Sequence, residues 1–200
     1  MALIAANISR KYISRAGGPE RKEDVRKMNN QSFNIRKLAL TGIFAAIAVV
    51  GSTFSFPVFG SKCAPVQHLV NVLCAVFLGP GWGLAAAFIA SVIRNMTGLG
   101  TLLAFPGSMC GALLAGLLYK KFRTLPAAWF GEIFGTAVIG GILAYPIASM
   151  VMGNPNAALF TFVVPFLIST TGGTIIAAVI TLALQSRGVI GRLRQQVEQP

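Results

Sequence analysis

Acidic side chains are nearly absent from this chain. Of 200 residues only five are Asp or Glu, and between Asp24 and Glu198 the only one is Glu132. Lys and Arg number 17, for a net charge of +12, yet charged residues make up 11% of the sequence against 54% hydrophobic. A soluble domain scatters its charges over its surface. Here Cys63 to Ile93 is 31 residues without Asp, Glu, Lys or Arg, Asn95 to Tyr119 is 25, and Ile133 to Ser186 is 54. A bilayer core about 30 Å thick is crossed by roughly 20 helical residues, so the last run alone accommodates two spans. These runs indicate an all-α integral membrane protein.

Other absences narrow the function. The three cysteines (Cys63, Cys74 and Cys110) form no CxxC pair and are odd in number, which indicates neither a disulfide framework nor a metal site. No GxxxxGK[ST] occurs, so no P-loop holds a nucleotide. No second intramembrane acid stands ready to relay protons with Glu132. A transporter built from this chain must take its energy from elsewhere, and nothing calls for a cofactor. The excess of positive charge lies in tails and one loop with no recognition fold to present it, which argues against nucleic acid as a partner.

The first 37 residues carry nine Lys or Arg and are expected to form a basic, unstructured tail. Met28 offers an alternative start, which makes residues 1–27 an extension of the gene reading. Six spans are expected over 38–185, followed by a polar tail, 186–200. They run from Leu38 to Phe56, Pro65 to Leu78, Gly81 to Asn95, Pro106 to Tyr119, Ala127 to Met152 and Ala158 to Leu184. The fourth is short of a full crossing, so the segment TGLGTLLAF before it is expected to dip into the protein, where backbone off the helical path needs cover. With six spans both termini share a side, and 15 of the 17 basic residues fall there, Lys62 and Arg94 excepted. By the positive-inside rule that side is cytoplasmic, and the cell membrane is the expected location.

Ionised groups at membrane depth usually face a cavity, a partner or the interface. Arg94 and Asn95 are therefore candidates to hold the dipping segment and line a cavity, although Arg94 can also extend its guanidinium to the headgroups. Glu132 is the second candidate; direct pairing with Arg94 is not expected, because the two lie toward opposite ends of straight helices. Phe105 and Ser108 open the fourth helix, where free N–H groups favour an electronegative ligand atom; Ser108 can instead bond back to its own helix. Phe56 and Phe59 in the first outer loop can close over an aromatic ligand. Tyr145, Thr170 and Thr171 are the remaining polar groups at interior positions. His68, with Gln67 and Asn71, has no second histidine or nearby acid in sequence and is read as a hydrogen-bonded core residue. An intramembrane hydrolase using Ser108 and His68 is the competing enzymatic reading, and it lacks an orienting acid. In the first span Gly42, Ala45 and Ala46 recur at a spacing that lets a helix approach closely.

Two segments, GPGWGLAAAFIASVIRN at 79–95 and GTLLAFPGSMCGALLAGLLY at 100–119, together with GEIFGT from 131 and GGILAYP from 140, resemble a known family. Residues 38–185 look like the ThiW family, which belongs among the substrate-binding S components of energy-coupling factor (ECF) vitamin transporters. The resemblance implies a six-helix binding subunit for a thiamine precursor, the thiazole hydroxyethylthiazole. It also implies a transmembrane coupling subunit and two ABC ATPases as partners. Spans one to three then face the coupling subunit, with Gly42, Ala45 and Ala46 as contacts, and the later spans with the first outer loop hold the ligand. A phosphorylated or zwitterionic ligand, thiamine itself or its pyrimidine moiety are the alternatives, and Arg94 keeps a charged ligand open.

Overall fold

The computed structural model describes residues 19–58 and 61–198. The chain is an all-α membrane bundle in which the strands among the described residues form one short hairpin. Helix α1 (Pro19–Gly51) opens inside the segment expected to be unstructured, and runs for 33 residues. Its opening, PERKEDVRK, combines a proline suited to a first helical turn with good helix formers. A single 3₁₀ turn, Ser52–Phe54, ends it. Strands β1 (Phe56–Val58) and β2 (Ser61–Cys63) follow, antiparallel, with Phe56 opposite Cys63; the sequence had indicated only a loop.

Helices α2 (Pro65–Phe77) and α3 (Pro80–Met96) each place proline in the first turn, where its missing N–H costs nothing. Gly79 joins them with φ of 85°, a conformation open chiefly to glycine. Helix α4 (Ala104–Phe122) corrects the expected half-length helix: it begins two residues before Pro106 and continues through Lys120 and Lys121, for 19 residues. Proline is tolerated that early in a helix, and two lysines in the last turn complement its dipole. At 1.5 Å per residue it is about 28 Å long. The non-helical part of the expected dip is confined to residues 97–103.

Helix α5 (Leu125–Val151) is one path of 27 residues, twice loosened into π-helix at Gly135–Gly140 and Ile147–Val151. Helix α6 (Val163–Ser186) starts five residues later than expected, and a short α7 (Val189–Glu198) follows where a tail was expected. By length and composition three helical stretches suffice to cross a bilayer: Ile35–Phe54, Leu125–Val151 and Val163–Ser186. The shorter α2, α3 and α4 pack among them.

Lipid offers no hydrophobic drive for helices to associate, so close contact between small residues carries that role. Helices α4 and α5 meet along such a seam. A Cβ built at Gly131 would fall on Ala115, one at Gly135 on the carbonyl of Cys110, and one at Gly140 on Gly107. On the other flank Ala45 and Ala48 of α1 pack with Val70 and Cys74 of α2 and Ala86 and Ala90 of α3.

Gly135→Val should cost about 1–3 kcal/mol by overpacking, read as earlier unfolding when SDS is titrated into detergent micelles. Gly42→Val, where an added Cβ has nothing within 4 Å, should leave the same curve unmoved.

Candidate functional site

Burying a polar group without a partner is costly, so the polar side chains inside this bundle must find one another. Helix α2 presents Gln67, His68 and Asn71 to the interior, at 2%, 7% and 1% exposure. Glu132 of α5 is fully buried and gathers them. Its Oε1 accepts from Asn71 Nδ2 at 3.0 Å and from Thr136 Oγ1 at 3.1 Å, and lies 2.8 Å from His68 Nδ1. The other imidazole nitrogen, Nε2, is 3.1 Å from Ser169 Oγ of α6, which also accepts the Ala64 N–H at 3.0 Å. Gln67 donates to Asn71 Oδ1 at 3.1 Å and accepts from Arg94 Nη1 at 3.2 Å. Asn71 Nδ2 reaches the Ser108 carbonyl as well, at 3.1 Å.

Arg94 and Glu132 thus belong to one network without touching: Gln67 and Asn71 stand between them. The view of His68 as lacking an acid is corrected, because the fold brings Glu132 to it from 64 residues away. A glycine makes room for this. A Cβ at Gly111 of α4 would approach both carboxyl oxygens of Glu132 to 2.8 Å.

Against this network lies a cavity of about 40 Å³. Its polar lining comes from Gln67, His68, Arg94, Ser108, Thr136 and Ser169, and its apolar lining from Leu103, Phe166 and the small residues Ala64, Ala104 and Gly107. Lys62 of β2 and Thr101 of the α3–α4 segment complete it. Those two segments are tied by Lys62 Nζ donating to the Gly98 carbonyl at 3.0 Å. Arg94 Nε is buried with no hydrogen-bond partner among the described residues. It is an unused donor on a residue that lines the cavity.

The expected site residues divide into three groups. Arg94 and Ser108 line the cavity, and Glu132 lies behind it as the acceptor of its network. Asn95 does not line it; its Nδ2 holds the α3–α4 segment by donating to the carbonyls of Ser91 and Thr101 at 2.8 and 3.0 Å. Ser108 also bonds back to Ala104 at 2.8 Å, the bond to its own helix offered as its alternative reading, and lies 3.0 Å from Ser91 Oγ. The pairing of Ser108 with His68 does not form; Ser169 occupies that position.

The remaining expected residues that are described are off the cavity lining. Phe105 packs on Phe88 with centroids 5.9 Å apart, and Phe56 is exposed in the hairpin. Thr170 donates to the Glu132 carbonyl at 3.5 Å, and Tyr145 accepts Ser149 through its carbonyl. Thr171 is half-buried on the same helix turn as Thr170. Phe59 lies outside the described residues. Of the small residues in α1, Ala45 packs inside the bundle while Gly42 and Ala46 face outward. Two of the missed lining residues had a readable signal: Thr136 is four residues beyond Glu132 on a helix, and Ser169 directly precedes the noted Thr170.

Residues 38–187, which include every residue lining the cavity, match the family model described as thiamine-precursor transporter protein (ThiW). The chain belongs to the ThiW family. A comparison with curated proteins gave no match. Membership in the ThiW family makes this a multi-pass transport protein.

Glu132→Ala in this ThiW protein removes the acceptor for His68 and Thr136. With an unsatisfied buried group worth about 1–3 kcal/mol, it should destabilise the bundle by roughly 2–6 kcal/mol. Glu132→Gln, which keeps an acceptor oxygen, should lose less than half as much in the same SDS titration.

Proposed function

We propose that this chain is the substrate-binding S component of an ECF-type transporter and that it captures hydroxyethylthiazole in the cavity beside Arg94. The observation that carries this reading is the unpartnered Nε of Arg94, a residue that lines a cavity whose wall is otherwise made of hydrogen-bonding side chains, the cation Lys62, an aromatic ring and small apolar residues. A thiazole has one ring nitrogen that accepts and one hydroxyl that both donates and accepts. Arg94 suits the first, and Ser108 or Ser169 the second, while Phe166 and Leu103 supply apolar walls of the kind small-molecule sites use. Arg94 and Lys62 in the lining disfavour a cationic ligand such as thiamine.

At about 40 Å³ the cavity has room for a few water molecules, whereas sites for small molecules run to about 300 Å³ and more. Binding therefore requires the hairpin and the α3–α4 segment to separate. In this reading residues 38–185 form the binding domain with six crossings, both termini are cytoplasmic in the cell membrane, and a coupling subunit with two ATPases supplies the energy. Gly42 and Ala46, exposed on α1, are available to that coupling subunit.

Hydroxyethylthiazole at a hundred times its Kd should stabilise the purified protein by about 2.7 kcal/mol, seen as a rise in thermal midpoint, with a smaller response to thiamine and to the pyrimidine precursor. Arg94→Gln should weaken binding at least about tenfold, the worth of a buried hydrogen bond to a charged group. No rise with any of the three compounds would refute the assignment.

One observation favours a second reading. Ser169, His68 and Glu132 have the connectivity of a nucleophile, a base and an orienting acid. The Ser169 oxygen already receives the Ala64 N–H, and the family is one of transporters. Treatment with a fluorophosphonate should therefore leave Ser169 unlabelled; covalent labelling lost in Ser169→Ala would establish the hydrolase instead.

A further inference from the structure

A second, larger hollow lies at the other end of the same helices. The first cavity sits where α2 begins, α3 ends and α4 begins. The second is bounded by the last turn of α2, the first turn of α3 and the last turn of α4, and has a volume of about 320 Å³. That is within the range of small-molecule sites, about 300–1,000 Å³.

Its lining is of one sign. Lys37 of α1 and Lys120 and Arg123 at the end of α4 contribute three cations, and no acid takes part. Trp82 and Tyr119 add aromatic surface with a polar tip, the residue types that settle at the headgroup level of a bilayer. Gly81 and Trp82, in the first turn of α3, line it as well, and no side chain caps that helix. Among the described residues neither Lys120 nor Arg123 has a side-chain hydrogen bond or ion pair to a protein group. Arg123 is moreover the only residue besides glycine with positive φ among those described, at 58°. Glycine or asparagine closes a helix in that conformation at less cost.

We propose that this hollow is a phosphate site and that its ligand is the headgroup of an anionic membrane lipid. Lys120, Arg123 and Lys37 supply charge, the start of α3 supplies backbone donors, and Trp82 and Tyr119 pack against the glycerol and upper acyl region. Basic pockets between membrane helices on the cytoplasmic side hold phospholipid headgroups in this manner. The site is separate from the thiazole cavity.

The experiment is thermal unfolding of the full chain in detergent supplemented with phosphatidylglycerol, with cardiolipin, with phosphatidylcholine, or with soluble glycerol 3-phosphate. Wild type should gain several degrees with either anionic lipid over phosphatidylcholine. The variant pair Lys120→Gln with Arg123→Asn should lose at least half of that gain, asparagine being chosen because it tolerates the left-handed backbone. Lys121→Gln should keep the full gain, since Lys121 lies over the Phe122 ring, 5.4 Å from its centroid, and does not line the hollow. Equal midpoints of all variants in phosphatidylcholine show that the fold is retained; where the pair is shifted there, native mass spectrometry of lipid adducts reads occupancy directly, with the same expected order. A response to glycerol 3-phosphate as large as to the lipids supports the phosphate site and assigns its source to a soluble ester. Equal loss in Lys121→Gln, or no preference for anionic over zwitterionic lipid, overturns the proposal.

Discussion

The fold turns on one carboxyl group. Glu132 is fully buried in a bundle set in lipid, where water cannot satisfy it, and everything around its Oε1 is arranged to do so: Asn71 and His68 from α2, and Thr136 from its own helix. Those partners in turn fix others. Asn71 positions Gln67, Gln67 holds Arg94, and His68 reaches Ser169. Helices α2, α3, α5 and α6 are thus keyed to one another by polar groups that have few alternative places to go, in surroundings where packing alone discriminates poorly among rotations of an apolar rod.

Glycine makes the arrangement possible. The seam of Gly107, Gly111, Gly131, Gly135 and Gly140 brings α4 and α5 close enough that their backbones touch, and the π-helical stretch beginning at Gly135 lets α5 carry its polar residues past that contact. Such bulges recur at functional sites for this reason. Close packing on one side and a small hollow on the other are two results of the same distribution of side-chain volume.

Much of this was written plainly in the sequence. Uncharged runs bounded by Gly-Pro and Pro turns located the apolar helices to within a few residues, because in lipid the backbone has almost no choice but helix. Arg94 and Glu132 announced themselves by being charged where charge is rare. What stayed hidden depended on distance in the chain: the meeting of His68 with Glu132, and of His68 with Ser169, is set by how whole helices rotate against each other. The aromatic expectations went astray for a related reason. Phe56 and Phe105 are good ring donors by type, whereas Phe166 lines the hollow because of its angular position on α6, which composition does not encode. The beginning of α4 was misplaced because Pro106 was taken as a first residue, although proline is accepted anywhere in the opening turn.

The shortness of α2 leaves little depth between the two hollows. Only seven residues separate His68, at the cavity beside Arg94, from Ala75, at the basic hollow, which is about 10 Å of helix. Between them the neighbours are dry: Val70, Val72 and Cys74 are all buried. A solute passing between the two hollows beside α2 meets about 10 Å of packed side chains, a third of the roughly 30 Å of hydrocarbon in the surrounding bilayer.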